Sequence, residues 1–350
     1  MAVPEDTIRN ILLVRTDRIG DVVLSLPMLP LLKERYPQAR VTVMVRPYTK
    51  ELVEHHSCVD DVILWDESKG VMPYVSILKQ RRFDLVILPY PRFNLALICF
   101  LAGIPVRVGT GYRWYSFLFN KRIYEHRKDA RRHEVEYNLN LLTTIGINST
   151  AAPAFEFTVD EAARRTVDAQ LNKDGIGTFV VLHAGSGGSA RDWSVEKFAQ
   201  LGDLLRKETG MQVVLTGGAG EKDLVRSLAS AMEQPPIDYA GRFSLQELAE
   251  LFRRASVFVA NSTGPLHIAS MVGTPVVAFY PPIIQCSPAR WGPYTAKKRV
   301  FTADNLSCPL CKGGPCTSNV CMDQITVRQV ADAVKELTAE WTSTGTEQRQ

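Results

Sequence analysis

The sequence lacks a hydrophobic run long enough to cross a bilayer. Its longest apolar stretch, residues 95–106, is about half of the roughly 20 residues a helical span needs, and Gly103 and Pro105 interrupt it. Residues 1–10 are polar and acidic, and the apolar run behind them is only a strand long, so no secretory signal is read. The chain is expected to be cytoplasmic. Charge of one sign is also scarce. With 41 Lys and Arg against 37 Asp and Glu, the net charge is +4, too little to argue for nucleic acid. Two nucleotide-binding signatures are missing. No Gly-Lys-Ser/Thr follows the glycine-rich stretch near 185, which excludes an ATPase phosphate loop. The first strand-helix turn lacks Gly-x-Gly-x-x-Gly and no acidic ribose partner is evident, which argues against a dinucleotide oxidoreductase. A disulfide scaffold is not needed, because 350 residues with 45% hydrophobic content can bury two ordinary cores.

What is present is a repeated strand-helix grammar. Residues 11–15 form a short continuous apolar run, expected to be a buried parallel strand. A turn follows at 16–21. Residues 22–36 have helical spacing, with Pro27 and Pro30 expected to kink or delay the helix. Further strands are expected at 41–45, 62–64 and 85–88. The pattern restarts with strands at 178–182, 212–215, 257–259 and 275–279, and helices at 160–171, 196–208, 245–254 and 265–272. This alternation implies an α/β fold with parallel sheets and helices on both faces. The boundary is expected near 150–175, giving an N-terminal domain of residues 1–160, a C-terminal domain of 161–341 and a disordered tail at 342–350. Ligands of such sheets sit beyond the carboxyl ends of the strands, so two facing domains would enclose a cleft.

Three motifs sit at those strand ends. The first is Asp17-Arg18-Ile19-Gly20-Asp21. Asp21 is either a plain helix N-cap or a general base that takes a proton from an attacking hydroxyl. The second runs from His183 through Gly185, Ser186, Gly187 and Gly188 to Arg191 and Trp193. Small residues there let backbone N–H groups approach an anion, with Arg191 as a fixed charge. The alternative is a flexible loop with a solvated arginine. The third is Asn261-Ser262-Thr263-Gly264-Pro265-Leu266-His267, hydroxyls and N–H groups at a helix start with Pro265 in an early-helix position. It reads as a diphosphate site, or as a plain turn with a buried histidine.

Charge is concentrated between Arg113 and Arg132, where seven Lys or Arg face Glu125 and Asp129, a local +5. Arg113, Lys121 and Arg122 alternate there with Trp114, Tyr115, Phe117 and Phe119. This segment is either packing with solvated charges or a face for an anionic glycolipid, with His133 on the same side.

In this order the motifs resemble glycosyltransferase family 9, the bacterial lipopolysaccharide heptosyltransferases. The shared features are Arg15-x-x-x-x-Gly20-Asp21 with Pro27, the His-Ala-Gly turn before Arg191 and Trp193, Gly241-Arg242-Phe243-Ser244-Leu245, and Ser262-Thr263-Gly264-Pro265-Leu266-His267. The resemblance covers residues 11–337. It implies a GT-B architecture of two Rossmann-like domains with parallel sheets facing across a cleft, acceptor on the first and nucleotide sugar on the second. It also implies an inverting, metal-independent transfer of heptose or a related sugar, typically from ADP-heptose, to a hydroxyl of lipopolysaccharide core or another surface glycan. Asp21 matches the family's base. His183, Gly185, Ser186, Arg191, Ser262, Thr263, Gly264 and His267 fall on the donor side, and Arg242 and Phe243 on the segment lining the nucleobase. Arg18 and Gly20, with Arg113, Lys121 and Arg122, fall on the acceptor side. An anionic glycolipid acceptor makes peripheral contact with the inner membrane an expectation, and no nucleic acid is expected. Two positions depart from the family: Ser262 replaces a common acidic residue, and Tyr280-Pro281-Pro282 replaces Tyr/Phe-Gly-Pro. A non-catalytic nucleotide-sugar or glycan-binding protein of the same fold is the competing reading.

Four of the seven cysteines lie close together, Cys308-x2-Cys311-x4-Cys316-x4-Cys321. The spacing suits a structural zinc ion. Free thiols and disulfides are the alternatives, and no cofactor is expected for catalysis itself.

Overall fold

In the computed structural model, which describes residues 8–148, 155–188, 191–303 and 320–344, the short apolar runs become parallel strands. The chain divides into two compact units, one of residues 1–127 and 131–158, the other of residues 128–130 and 159–350.

The first unit contains β1 (Asn10–Val14), α1 (Ile19–Val23), α2 (Met28–Arg35), β2 (Arg40–Val45), β3 (Asp61–Leu64), α3 (Met72–Arg81), β4 (Leu85–Ile87), α4 (Phe93–Leu101), β5 (Val106–Thr110), β6 (Lys121–Ile123) and α5 (Glu134–Leu142). The second contains α6 (Glu161–Lys173), β7 (Phe179–His183), α7 (Val195–Thr209), β8 (Gln212–Leu215), α8 (Lys222–Ala231), β9 (Ile237–Asp238), α9 (Leu245–Arg254), β10 (Val257–Asn261), α10 (Gly264–Met271), β11 (Val276–Tyr280), α11 (Pro288–Trp291), β12 (Lys298–Thr302) and α12 (Val327–Thr344).

The sheets run β3-β2-β1-β4-β5-β6 and β9-β8-β7-β10-β11-β12. All the pairings are parallel. Counted within its own unit, each sheet has the order 3-2-1-4-5-6 of a Rossmann fold. The order reverses between β1 and β4 in one and between β7 and β10 in the other, and ligand crevices form at such points.

The strands that flank these points are buried on both faces, which is why they read as continuous apolar runs. In the second unit Val180, Leu182, Val213, Leu215, Val257 and Val259 pack with Phe198, Leu201 and Leu205 of α7 and with Val330, Val334 and Leu337 of α12. Each such side chain contributes about 1.5–3 kcal/mol by leaving water. In the first unit Leu12, Val14, Val86 and Leu88 pack with Tyr74, Leu78, Leu95 and Ile98.

The structure departs from the sequence reading at residues 22–36. Two helices stand there, not one kinked helix. Pro27 has no N–H to continue α1, and tight turns close at Met28 N to Ser25 O and Leu29 N to Leu26 O. Pro30 lies in the first turn of α2, where no intrahelical donor is required. Strands β5, β6, β9 and β12 were not legible. They carry charged residues and lie at the sheet edges or next to them. The tail expected to be disordered begins inside α12, which continues to Thr344, and the rest of it lies outside the described residues. Cys308, Cys311 and Cys316 also lie outside them. Cys321 is buried with Met322 and Ile325 in the second core.

Candidate active site

Arg15 follows directly on β1 and is fully buried. Three carboxylates surround it: Asp17 (Nε–Oδ2 3.2 Å), Asp21 (Nη2–Oδ1 2.5 Å) and Glu134 (Nη2–Oε1 3.3 Å). Together they raise the guanidinium's pKa against the effect of burial. Asp17 and Asp21 come from the turn after β1 and the first turn of α1. Glu134, itself buried, opens α5 and also receives Arg127 at 2.6 Å. Asn138, one turn on, accepts from Arg127 (3.1 Å) and donates to Leu24 O (3.0 Å), so α5 braces the end of α1.

Asp21 is not an N-cap. That position belongs to Arg18, whose side chain makes no capping bond. Asp21 remains partly accessible, at 18% of its side chain. Asp17 is different: both of its carboxylate oxygens are buried without a hydrogen-bond partner. Burial pushes its pKa up to about 6, against the opposing pull of Arg15. The Tyr48 hydroxyl closes the same turn by donating to Asp17 O at 2.6 Å.

The acceptor candidates do not all gather here. Arg18 and Gly20 flank Asp21. Arg113 is exposed beyond the end of β5. Lys121 and Arg122 are exposed on β6, three strands from β1, or roughly 14 Å across the sheet. His133 caps α5, with Nδ1 accepting from Val135 N at 3.2 Å. Sequence reasoning quoted Asp17 in a motif and counted Arg127 among the basic residues without giving either a role, and it missed Glu134 and Asn138. Only the strand-end position of Asp17 was a usable signal.

In the second unit four loops meet at the carboxyl edge of the sheet. Asn261, at the end of β10, donates from Nδ2 to Ala184 O (2.7 Å) and accepts from Trp193 N (2.8 Å). It thereby ties the loop after β7 to the reversal point. His183 lies within hydrogen-bond distance of Thr216 after β8 (Nδ1–Oγ1 3.0 Å), and burial lowers its pKa. Glu221 accepts from Gly218 N at 2.7 Å and lies 3.8 Å from His183 Nε2. A Cβ at Gly185 would stand 2.1 Å from Glu221 Oε1, so any larger residue there displaces the Glu221 carboxylate. Gly241 N donates to Gly217 O (2.8 Å), which brings in the loop after β9. Gly241 itself has φ +64°, a left-handed conformation that favours glycine. Beyond it, Arg242 lies over the Tyr239 ring (5.5 Å) and Phe243 packs edge-on against that ring (5.0 Å).

Thr263 is the N-cap of α10 and makes no capping bond with its side chain. Gly264 and Pro265 open the helix, and His267 is buried in its first turn. Ser262 is buried between β10 and this helix. Ser186 donates to Asp192 at 3.1 Å, and burial pushes the Asp192 carboxyl up to about 6. Trp193 anchors the loop from below, stacked on Phe279 (4.5 Å) with its Nε1–H on Ile325 O (3.0 Å). The donor candidates therefore share one sheet edge. Arg191 is half-buried in the same loop.

Comparison with known proteins places this arrangement. The chain is 27% identical over 303 residues to lipopolysaccharide heptosyltransferase 3 of Escherichia coli K12, covering 82% of this chain and 86% of that one. A solved glycosyl transferase family 9 structure from Veillonella parvula superposes with a TM-score of 0.83 at 22% identity, covering 97% and 99% of the two chains. The structure of E. coli ADP-heptose lipopolysaccharide heptosyltransferase II gives 0.79 at 23%, covering 95% and 99%. The shared fold is GT-B. The sequence profile of glycosyltransferase family 9 (heptosyltransferase) matches residues 74–321, more than half of the chain. The chain therefore belongs to glycosyltransferase family 9 and is a glycosyltransferase.

Proposed function

We propose that this enzyme transfers a heptose, with inversion and without a metal ion, from ADP-heptose to a hydroxyl of a lipopolysaccharide-type acceptor. The observation that carries the reading is the Asp21 carboxylate, partly accessible at the carboxyl end of β1 and oriented by Arg15 through one oxygen. Its other oxygen takes the proton of the acceptor hydroxyl. That hydroxyl oxygen attacks the anomeric carbon from the face opposite the diphosphate, the bond from carbon to phosphate oxygen breaks, and ADP leaves with the electron pair. Negative charge growing on the diphosphate is opposed by Arg191 and by the free N–H groups at the start of α10. Arg242 and Phe243 line the base. The names of the relatives support the donor and acceptor classes.

The test is transfer of heptose from ADP-heptose to a deacylated core acceptor. Asp21→Ala is expected to lower kcat by roughly 100- to 10,000-fold while ADP affinity stays the same. Transfer by Asp21→Ala at the wild-type rate would remove Asp21 as the base. Preference for UDP- or GDP-sugars would retain the fold and mechanism but change the donor.

A further inference from the structure

Residues 85–124 contain five basic residues, Arg92, Arg107, Arg113, Lys121 and Arg122, and no acidic one. The same stretch holds most of the exposed aromatic surface of the described residues. Trp114 is 73% exposed and Phe117 62%, with Phe93, Phe100, Tyr112 and Tyr124 each at least 40%.

These side chains stand on adjoining pieces of chain. Phe93, at the start of α4, packs against Trp114 (4.8 Å) and Tyr115 (5.7 Å). At the other end of α4, Arg107 lies over the Phe100 ring (5.3 Å) and donates to Leu118 O (2.7 Å). Tyr112 stacks on His126 (4.0 Å) and meets Tyr124 edge-on (5.5 Å). Of the five cations, Arg92 is partly neutralised by Glu67 at 3.7 Å. Arg113, Lys121 and Arg122 are exposed.

We propose that α4 and residues 112–124 form a docking face for an anionic lipid bilayer, with Trp114 and Phe117 entering the headgroup boundary and Arg113, Lys121 and Arg122 meeting the phosphates. Tryptophan and tyrosine favour that boundary because one end of each ring system is apolar and the other polar. Basic residues beside them gain from the negative surface potential. A second copy of the chain fits less well, since it would set like charges against one another. Among the described residues no helix is long and apolar enough to span a membrane, so contact is made at the surface. The inference stands apart from the assignment of the transfer reaction.

The experiment is co-sedimentation of the full chain with vesicles of phosphatidylcholine alone and of equal parts phosphatidylcholine and phosphatidylglycerol. Binding is expected to the anionic vesicles and to weaken with added salt. Arg113→Gln with Lys121→Gln is expected to weaken it about 25-fold, at about fivefold per cation. Trp114→Ser with Phe117→Ser is expected to weaken it at least about tenfold. Both variants alter exposed side chains, and circular dichroism checks their folding. Ile284→Ser, an exposed apolar change on the second unit, is expected to change nothing. Equal binding to both vesicle types, no binding, or no response to either double variant would overturn the proposal. So would a stable dimer that Trp114→Ser with Phe117→Ser dissociates.

Discussion

At the scale of the residue, Arg15 carries a single positive charge among three carboxylates. Its hold on Asp21 therefore depends on what the other two are doing. Glu134→Gln keeps the shape and removes a charge that both Arg15 and Arg127 meet. We expect kcat to fall by up to about 100-fold through misplacement of Asp21, while ADP affinity, which we propose the other unit carries, is unchanged. Glu134→Asp is expected to recover part of the loss. Asp17 adds a pH dependence. Its carboxyl, raised to about 6 by burial, takes up a proton as pH falls through that value. Neutral Asp17 leaves Arg15 fewer competitors for its charge, so Arg15 binds Asp21 more strongly and holds it back from the acceptor hydroxyl. Accordingly kcat/KM is expected to fall below about pH 6, and Asp17→Asn is expected to be slow throughout and to lack that limb. His183 acts on stability. Burial lowers its pKa, so the fold favours the neutral ring. Its contribution is present above the ordinary value of about 6.5 and is lost as pH falls toward the lowered one. Thermal unfolding between pH 7 and pH 5 should show a smaller acid-side loss for His183→Gln than for wild type.

At the scale of the element, short contacts hold together the loops proposed to bind the donor. An alanine at Gly185 would meet the far end of Glu221. That side chain can swing away, but it then leaves Gly218 N, to which it is bonded at 2.7 Å. Gly185→Ala is therefore expected to preserve the fold and weaken ADP binding about tenfold, or about 1.4 kcal/mol, by calorimetry. Asn261 was quoted in a motif but not recognised as a brace. Its amide joins a strand end to a loop nearly eighty residues away, a contact that no local pattern encodes. The helix at 245–254 was legible because its signals are local: Ser244 and Glu247 form a capping box ahead of an amphipathic run. The break at Pro27 was only half legible. Proline forbids continuation, but whether the chain kinks or stops depends on what packs beside it.

For the whole molecule, two sheets of the same strand order put their reversal points at β1/β4 and β7/β10. Loops at those points are held by the cores beneath them. Trp193→Ala removes a ring stacked on Phe279 and the bond to Ile325 O. We expect a loss of about 3–5 kcal/mol, read as a lower midpoint of chemical unfolding.

The sequence by itself determined the α/β class, the central strands, the positions of the three motifs after β1, β7 and β10, and the family. These rest on runs and turns of a few residues, which act through backbone propensity and burial within one element. The tertiary structure alone decided that Arg15 is shared by Asp17, Asp21 and Glu134, that Asn261 and Glu221 join the loops after β7, β8 and β10, and that Lys121 and Arg122 stand three strands from β1. Those facts depend on which strands lie side by side. Charge pairing and close approach act through space at 2.5–4 Å, and the chain brings such partners together only once the sheet that carries them has formed.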